Sequence, residues 1–180
     1  MTMEQLLFDE SVPLCFDTNA IFGKTSSTHL LESARKRFPE RRLLIPAWVV
    51  AERGRQLKIE YGEEFDSSVI ETWLNKLSIK AEVLAFDQEV ALGKWLDVVG
   101  RFQNSEWSWT GQPLSEKRPC AERCRTGDHI VYALALTHGA LLVTGDEGLL
   151  EQVAADGAYP GAIDVYQFKA LLGFPSAKSV

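Results

Sequence analysis

The chain has 180 residues, of which 46% are hydrophobic and 24% are charged, and its net charge is −6 at pH 7. A chain of this size suffices for one domain that buries roughly 70% of the surface of the unfolded chain. The composition excludes wholesale disorder, and no apolar run is long enough to predict a membrane span. The negative charge argues against nucleic-acid binding through overall electrostatics, although basic residues concentrate in residues 28–58 and 117–126.

The N-terminus and the cysteines predict a cytoplasmic protein. The opening stretch MTMEQLLFDE carries acidic residues where a secretory signal carries basic ones. Cys15, Cys120 and Cys124 are an odd set without a disulfide framework, which favours a reducing compartment. We therefore expect a protein that is neither exported nor attached to a membrane.

Five short apolar runs predict β-strands, and longer runs with helical spacing lie between them. In chain order the predicted strands are VPLCF (12–16), RLLIPA (42–47), AEVLAF (81–86), ALLVTG (140–145) and AIDVY (162–166). The predicted helices are STHLLESARKRF (27–38), AWVVAERGRQLKIEYG (47–62), SVIETWLNKLS (68–78), EVALGKWLDVVGRF (89–102) and DHIVYALALTHG (128–139). This alternation predicts an α/β fold with a central parallel sheet between two layers of helices.

One segment interrupts the alternation of strands and helices. Residues 103–126 are rich in polar and turn-forming residues, and a loop of that length inside a compact domain is usually functional or disordered. We expect a single domain over residues 1–175 with this inserted loop, followed by a flexible tail over residues 176–180.

Three aspartates are candidate site residues, and two of them are predicted to lie at the carboxyl ends of strands. Asp17 ends the first strand, Asp146 follows ALLVTG, and Asp128 is predicted to open the helix before that strand. Ligands of open α/β sheets bind beyond the carboxyl ends of the strands. Each aspartate also has an ordinary explanation, since Asp128 and Asp146 could cap helices and Asp17 could form an Asx turn.

Glu52 is the fourth acidic residue of the set. On a helical wheel it falls between Ile59 and Val49, so it is predicted to share an apolar face of its helix. Two carboxylates about 4 Å apart repel each other by about 4 kcal/mol at an effective dielectric constant near 20. A bound divalent cation would remove this repulsion, and carboxylates without thiolates or imidazoles select Mg²⁺ or Mn²⁺ over zinc.

These acidic residues lie in four stretches: CFDTNAIFG, LLIPAWVVAERGRQ, RTGDHIVYALAL and ALLVTGDEGLL. Together the stretches resemble the four acidic motifs of the PIN-domain ribonucleases, the family that includes the VapC-type toxins of bacterial toxin–antitoxin pairs. The resemblance covers residues 12 to about 166. It implies a PIN-like fold and a Mg²⁺- or Mn²⁺-dependent endoribonuclease whose catalytic and metal-site residues are Asp17, Glu52, Asp128 and Asp146.

The resemblance also implies how these residues divide the work. Asp17 and Asp128 would be direct metal ligands, with Asp146 and Glu52 holding metal-bound water or positioning the nucleophile. Asn19 and Thr144 would orient the carboxylates or the scissile phosphate. Hydrolysis would leave 5′-phosphate and 3′-hydroxyl ends. The implied partners are RNA, a cognate antitoxin protein and a second copy of the chain in a homodimer.

The interrupting segment offers side chains that suit single-stranded RNA. Aromatic rings stack unpaired bases and basic side chains contact phosphates. The predicted RNA-binding residues are Trp107, Trp109, Lys117, Arg118, Arg123 and Arg125. Alternatively, the two tryptophans pack under the loop or into a dimer interface.

Two other functions stay open at this point. DTNA after a strand and the late TGDEG resemble the first and last motifs of haloacid-dehalogenase-type phosphatases. That chemistry requires a second aspartate two residues after the nucleophile, where this chain has Asn19, and it leaves Glu52 and Asp128 without a role. The other alternative is a catalytically silent PIN-like binding module.

Overall fold

The computed structural model describes residues 3–22, 29–62, 66, 68–84 and 119–174. Five short strands form its sheet. They are β1 (Leu14–Phe16), β2 (Leu43–Pro46), β3 (Glu82–Leu84), β4 (Leu141–Thr144) and β5 (Ala162–Asp164).

Helices precede, connect and follow these strands. They are α1 (Met3–Phe8), α2 (Thr18–Phe22), α3 (His29–Arg37), α4 (Ala47–Tyr61), α5 (Ser68–Ser78), α6 (Pro119–Thr137), α7 (Glu147–Asp156) and α8 (Val165–Leu171). None of the helices in the described part of the chain combines the length and the apolarity needed to span a bilayer.

The strands form one parallel sheet in the order β3-β2-β1-β4-β5. Every residue of β1, β2 and β4 is buried, because helices cover both faces of the sheet. The result is a three-layer α/β/α arrangement, and the predicted fold class is confirmed. The sequence signal was the continuous apolarity of these strands, which is typical of a sheet that is buried on both sides.

Two predicted boundaries are wrong. The predicted loop over residues 103–126 ends earlier, because α6 begins at Pro119, a residue whose fixed φ suits the first turn of a helix. The predicted strand AIDVY ends at Asp164, whose side chain accepts hydrogen bonds from the backbone N–H groups of Tyr166 and Gln167 and thereby starts α8.

Several predictions lie outside the described residues and stay predictions. They are the loop residues 103–118, the helix over residues 89–102 and the tail over residues 176–180.

Candidate active site

The order of the strands selects one place on the sheet for a ligand. The chain passes from β1 to β2 and β3 on one side, and then returns to place β4 and β5 on the other side of β1. The order therefore reverses between β1 and β4, and the crevice beyond the carboxyl ends of two such strands is where open α/β folds bind ligands. Asp17 follows β1 and Asp146 follows β4 after one intervening residue, so both lie at this crevice.

Asp17 is held by hydrogen bonds from both sides of the crevice. Its carboxylate accepts from the backbone N–H of Thr18 at 2.7 Å and from the hydroxyl of Thr144 at 2.7 Å. Its own N–H donates to the carbonyl of Val143 at 3.0 Å, which continues the pairing of β1 with β4. The side chain is only 1% exposed, so the strands fix its position.

Thr144 connects the first aspartate to the last. Its hydroxyl donates to Asp17 and accepts from the backbone N–H of Asp146 at 3.1 Å. Asp146 itself caps α7 by accepting from the N–H of Leu149 at 2.9 Å, so the ordinary explanation for this residue is confirmed. The cap uses Oδ1 of this half-buried side chain. The charge of Asp146 still acts on the crevice, because it contributes to the raised pKa of Asp128.

Glu52 reaches the site through a partner that the sequence analysis did not single out. The hydroxyl of Thr18, in the first turn of α2, donates to the Glu52 carboxylate on α4. The helical-wheel argument for Glu52 was partly wrong: Val49 is fully buried, but Ile59 is 81% exposed, because α4 extends past the core. Only the first half of α4 lies against the sheet, and Glu52 belongs to that half.

Asp128 lies in the middle of α6 and does not open a helix, contrary to the prediction. It therefore cannot cap α6, which removes its ordinary explanation. The side chain is 6% exposed, and among the described residues its Oδ2 has no hydrogen-bond partner. A buried carboxylate oxygen without a donor is costly, so this atom calls for a ligand or a proton.

The pKa shifts show that the four carboxylates act on one another. Burial raises the pKa of Asp17 to about 6, against the opposing effect of its two hydrogen bonds, and the charges of Glu52 and Asp146 add to the rise. Burial also raises the pKa of Asp128 well above its ordinary value, followed by the charges of Asp17, Asp146 and Glu52. The structure thus brings all four predicted acidic residues within electrostatic reach of one another.

The four carboxylates are not arranged as a finished set of metal ligands. Among the described residues, no three side chains of His, Cys, Asp or Glu are placed to share one ion. Oxygens of Asp17, Glu52 and Asp146 accept hydrogen bonds from Thr144, Thr18 and a backbone N–H, respectively. These hydrogen bonds hold the three carboxylates in fixed orientations around the crevice.

The donor chemistry nevertheless suits a hard divalent cation. The crevice offers carboxylate and hydroxyl oxygens, and its four acidic residues are drawn from the β1–α2 turn, α4, α6 and the β4–α7 turn. Mg²⁺ and Mn²⁺ prefer such oxygens. The buried Oδ2 of Asp128, which has no donor in the described part of the chain, is the atom that most directly fits a cation.

Asn19, the other predicted polar residue, lies on α2 at the rim of the crevice and is exposed. A Cβ built on Gly145 would lie 3.6 Å from Cβ of Asn19 and 3.1 Å from Cγ1 of Val165. The start of α2, the turn after β4 and the start of α8 are therefore in contact along one side of the acidic residues.

The predicted RNA-binding residues cannot be placed beside this site. Trp107, Trp109, Lys117 and Arg118 lie outside the described residues, and only the backbone of Arg123 and Arg125 is described, within α6. Their assignment stays a prediction.

The basic residues between α3 and β2 lie at the opposite edge of the sheet, because they precede the amino end of β2. Several are also engaged in structural contacts. The buried Arg41 guanidinium donates to the carbonyls of Leu6, Leu7 and Val12, which fastens α1 to the sheet. Arg42 pairs with Glu82 at 2.8 Å. This basic cluster does not border the acidic crevice.

Thr18 is the residue that sequence reasoning missed. Its only local signal was a hydroxyl directly after Asp17 at the end of a strand. Its partner Glu52 is 34 positions away, and this pairing depends on how α2 packs against α4.

No model of a known protein family matches the chain, and no curated protein matches it either.

Proposed function

We propose that the protein is a Mg²⁺- or Mn²⁺-dependent endoribonuclease that hydrolyses phosphodiester bonds of RNA at the crevice between β1 and β4. The observation that carries the proposal is the buried Asp128 in mid-helix, whose Oδ2 has no hydrogen-bond donor among the described residues and whose pKa is raised beside three other acidic residues. A helix interior gains nothing from such a residue. At a pH above its raised pKa the buried carboxylate is charged, and a bound cation would compensate that charge.

The degree of burial separates the four carboxylates into two pairs. Asp17 and Asp128 are nearly inaccessible, so we assign them to holding the cation. Asp146 and Glu52 are half-buried and in contact with solvent, so we assign them to orienting the attacking water. Thr18 and Thr144 keep the carboxylates of Glu52 and Asp17 in place through their hydroxyl hydrogen bonds.

The cation, when bound, would polarise a phosphate oxygen and increase the acidity of a water molecule. The chain contributes a site closed to bulk solvent on its buried side, because Phe16 and Val143 beneath the acidic residues are fully buried. A site of this kind strengthens the interaction of the carboxylates with a cation. The Thr18–Glu52 contact also supports this proposal over a dehalogenase-type phosphatase, in which Glu52 would have no task.

The proposal extends to partners and location. We infer an RNA substrate, a homodimer and a cytoplasmic setting, and a cognate antitoxin would make the protein a toxin. A small reading frame directly upstream that encodes a DNA-binding pattern would support the antitoxin. The acidic crevice supports hydrolysis of the phosphodiester bonds of RNA, since a cation shared by carboxylates and a phosphate is a usual means of this reaction.

The test is cleavage of an end-labelled single-stranded RNA with Mg²⁺ or Mn²⁺. We expect internal cuts that leave 5′-phosphate and 3′-hydroxyl ends. Asp128→Asn should lower the rate at least about 100-fold, because even outer partners of metal sites are worth about 10- to 100-fold. Asp9→Asn serves as the control, since Asp9 precedes β1 at the opposite edge of the sheet.

A protein that releases inorganic phosphate from small phosphoesters and leaves RNA intact would overturn the proposal in favour of the phosphatase. Absence of both activities in the folded, metal-supplemented protein would identify a binding module.

A further inference from the structure

Tyr166 places an exposed aromatic ring beside the acidic crevice. In the pairing of β4 with β5, Asp164 lies opposite Thr144, the residue whose hydroxyl holds Asp17. Tyr166 follows two residues later in α8, and the neighbouring Val165 borders Gly145 in the turn that carries Asp146. The ring is therefore separated from the acidic residues by one strand and a short turn.

The orientation of α8 directs this ring away from the core. Phe168 is fully buried and packs edge-on against Phe16 of β1, with ring centroids 5.9 Å apart at an angle of 68°. Tyr166 lies two positions earlier, which is about 200° around the helix. Its side chain is consequently 54% exposed, whereas Phe168 fixes α8 over the end of β1.

Lys169 holds one face of the ring. Its Nζ lies 5.7 Å from the centroid of the Tyr166 ring, and the lysine itself is only 8% exposed. A cation over the face of an aromatic ring is attracted to it, so Lys169 helps to hold the Tyr166 ring in place. The exposed remainder of the ring is a flat surface of the kind that stacks an unpaired base.

We propose that Tyr166 stacks a base of single-stranded RNA adjacent to the phosphate that the acidic crevice cleaves. This inference rests on the proposed function, because it takes RNA as the substrate. It adds a subsite across the sheet in the order β1-β4-β5, on the side where Gly145 lies next to Asn19 and Val165.

A second tyrosine provides a matched control. Tyr159 is 60% exposed, as accessible as Tyr166, but it precedes β5 and so lies at the amino edge of the same strand. The two tyrosines lie at opposite ends of β5, and Tyr166 is the one at the end where the acidic residues gather. An equal loss of RNA affinity on substitution of either tyrosine would indicate nonspecific binding to exposed aromatic rings.

The experiment measures the affinity of a short single-stranded RNA in Ca²⁺, which is expected to occupy the site without supporting cleavage. Tyr166→Leu should weaken binding about 5- to 150-fold, the range that corresponds to one stacked base. Tyr166→Phe keeps the ring and should bind like the parent, as should Tyr159→Leu. In parallel, single abasic positions are moved along the RNA. At one position the missing base should weaken binding to the parent. The same abasic RNA should not weaken binding to Tyr166→Leu any further.

The result separates this inference from the proposed function. If the parent cleaves RNA but Tyr166→Leu binds as tightly as the parent, or no abasic position weakens the parent, the stacking site is wrong and the nuclease stands. If the parent neither binds nor cleaves RNA, both fall. The abasic series on the parent needs no substitution, so a variant that fails to fold leaves the test intact.

Discussion

Asp128 lies in the middle of α6 and is buried, as are Ile130 and Val131 in the same helix. Its pKa is raised on folding, first by burial and then by the neighbouring acidic residues. A raised pKa means that the folded state binds the proton more tightly than the unfolded state does. In a chelator, the free energy of unfolding should therefore fall as the pH rises from about 4 through the raised pKa. The pKa of Asp17 is raised to about 6, so its ionisation should lower the free energy of unfolding by about 3 kcal/mol over the same rise in pH.

The first prediction is that Asp128→Asn stabilises the protein when a chelator is present. Above the raised pKa the variant carries no buried charge, so its free energy of unfolding at pH 8 should exceed that of the parent by at least about 1 kcal/mol. Urea titrations at a series of pH values measure the difference. The gain should disappear near pH 4, where the parent carboxyl is protonated.

Asp9→Asn is the matched control for that experiment. Hydrogen bonds from the side chain and backbone of Ser11 lower the pKa of Asp9, so neutralising it should bring no gain at pH 8. An Asp128→Asn variant that is no more stable than the parent at pH 8 would show that the carboxylate is satisfied in the fold without a cation.

The second prediction concerns Thr18, which holds Glu52 through its hydroxyl. Thr18→Val keeps the shape but leaves the carboxylate without this donor, and we expect the affinity for Mn²⁺ to fall about 10- to 100-fold. Thr18→Ser keeps the hydroxyl and should bind Mn²⁺ like the parent. Titration calorimetry compares the three proteins. Equal Mn²⁺ affinities of Thr18→Val and Thr18→Ser would show that the hydrogen bond between Thr18 and Glu52 does not contribute to cation binding.

At the scale of elements, two of the helices beside the site, α2 and α8, are ones that the sequence pattern did not reveal. α2 has 5 residues and α8 has 7, so neither completes more than two turns and neither shows a clear helical period. A capping signal could have identified α8, since Asp164 precedes it, whereas the final residues of AIDVY suit a strand equally well. α7 was foreseen as the helix that Asp146 caps.

Packing between α4 and α5 gives the third prediction. A Cβ on Gly54 of α4 would lie 2.5 Å from Cδ1 and 3.0 Å from Cγ1 of Ile70 on α5. Gly54→Ala should gain up to about 1 kcal/mol in helix propensity but lose about 1 to 3 kcal/mol through overpacking, so we expect net destabilisation. Chemical denaturation measures the change.

Ile70→Val supplies the control for Gly54→Ala because it removes the Cδ1 atom that the new methyl group would meet. In that background Gly54→Ala should be neutral or stabilising. Equal effects of Gly54→Ala in both backgrounds would show that α4 and α5 do not depend on this close approach.

At the scale of the whole molecule, the four acidic residues of the site and the cluster of Arg41 and Arg42 lie at opposite edges of the sheet. The acidic residues gather at the carboxyl ends of β1 and β4, and the basic cluster around Arg41 and Arg42 lies at the amino ends. The burial of Arg41 lowers its pKa to about 10, so it stays charged at neutral pH and keeps its bonds to α1. This cluster therefore serves the fold, and the proposed RNA substrate would have to be guided by other parts of the chain.

The sequence was sufficient for the sheet because buried parallel strands are apolar throughout, and the strand ends then placed Asp17 and Asp146 on the ligand side. Asp128 comes within electrostatic reach of the other three acidic residues, but its place in the middle of α6 was not predicted, because the start of that helix at Pro119 falls in a polar stretch. The contact between Thr18 and Glu52 and the orphaned oxygen of Asp128 arise from packing between distant segments, which no local pattern encodes.

The central claim is that these carboxylates bind a divalent cation, and the shift of the melting temperature by Mn²⁺ tests it most directly. A cation that binds only the folded state at 100 times its Kd adds about 2.7 kcal/mol, which corresponds to about 5 to 11 °C for a chain of this size. We predict this rise for the parent and for Asp9→Asn, and its loss in Asp17→Asn/Asp128→Asn. A double variant that responds to Mn²⁺ as strongly as the parent would contradict the account.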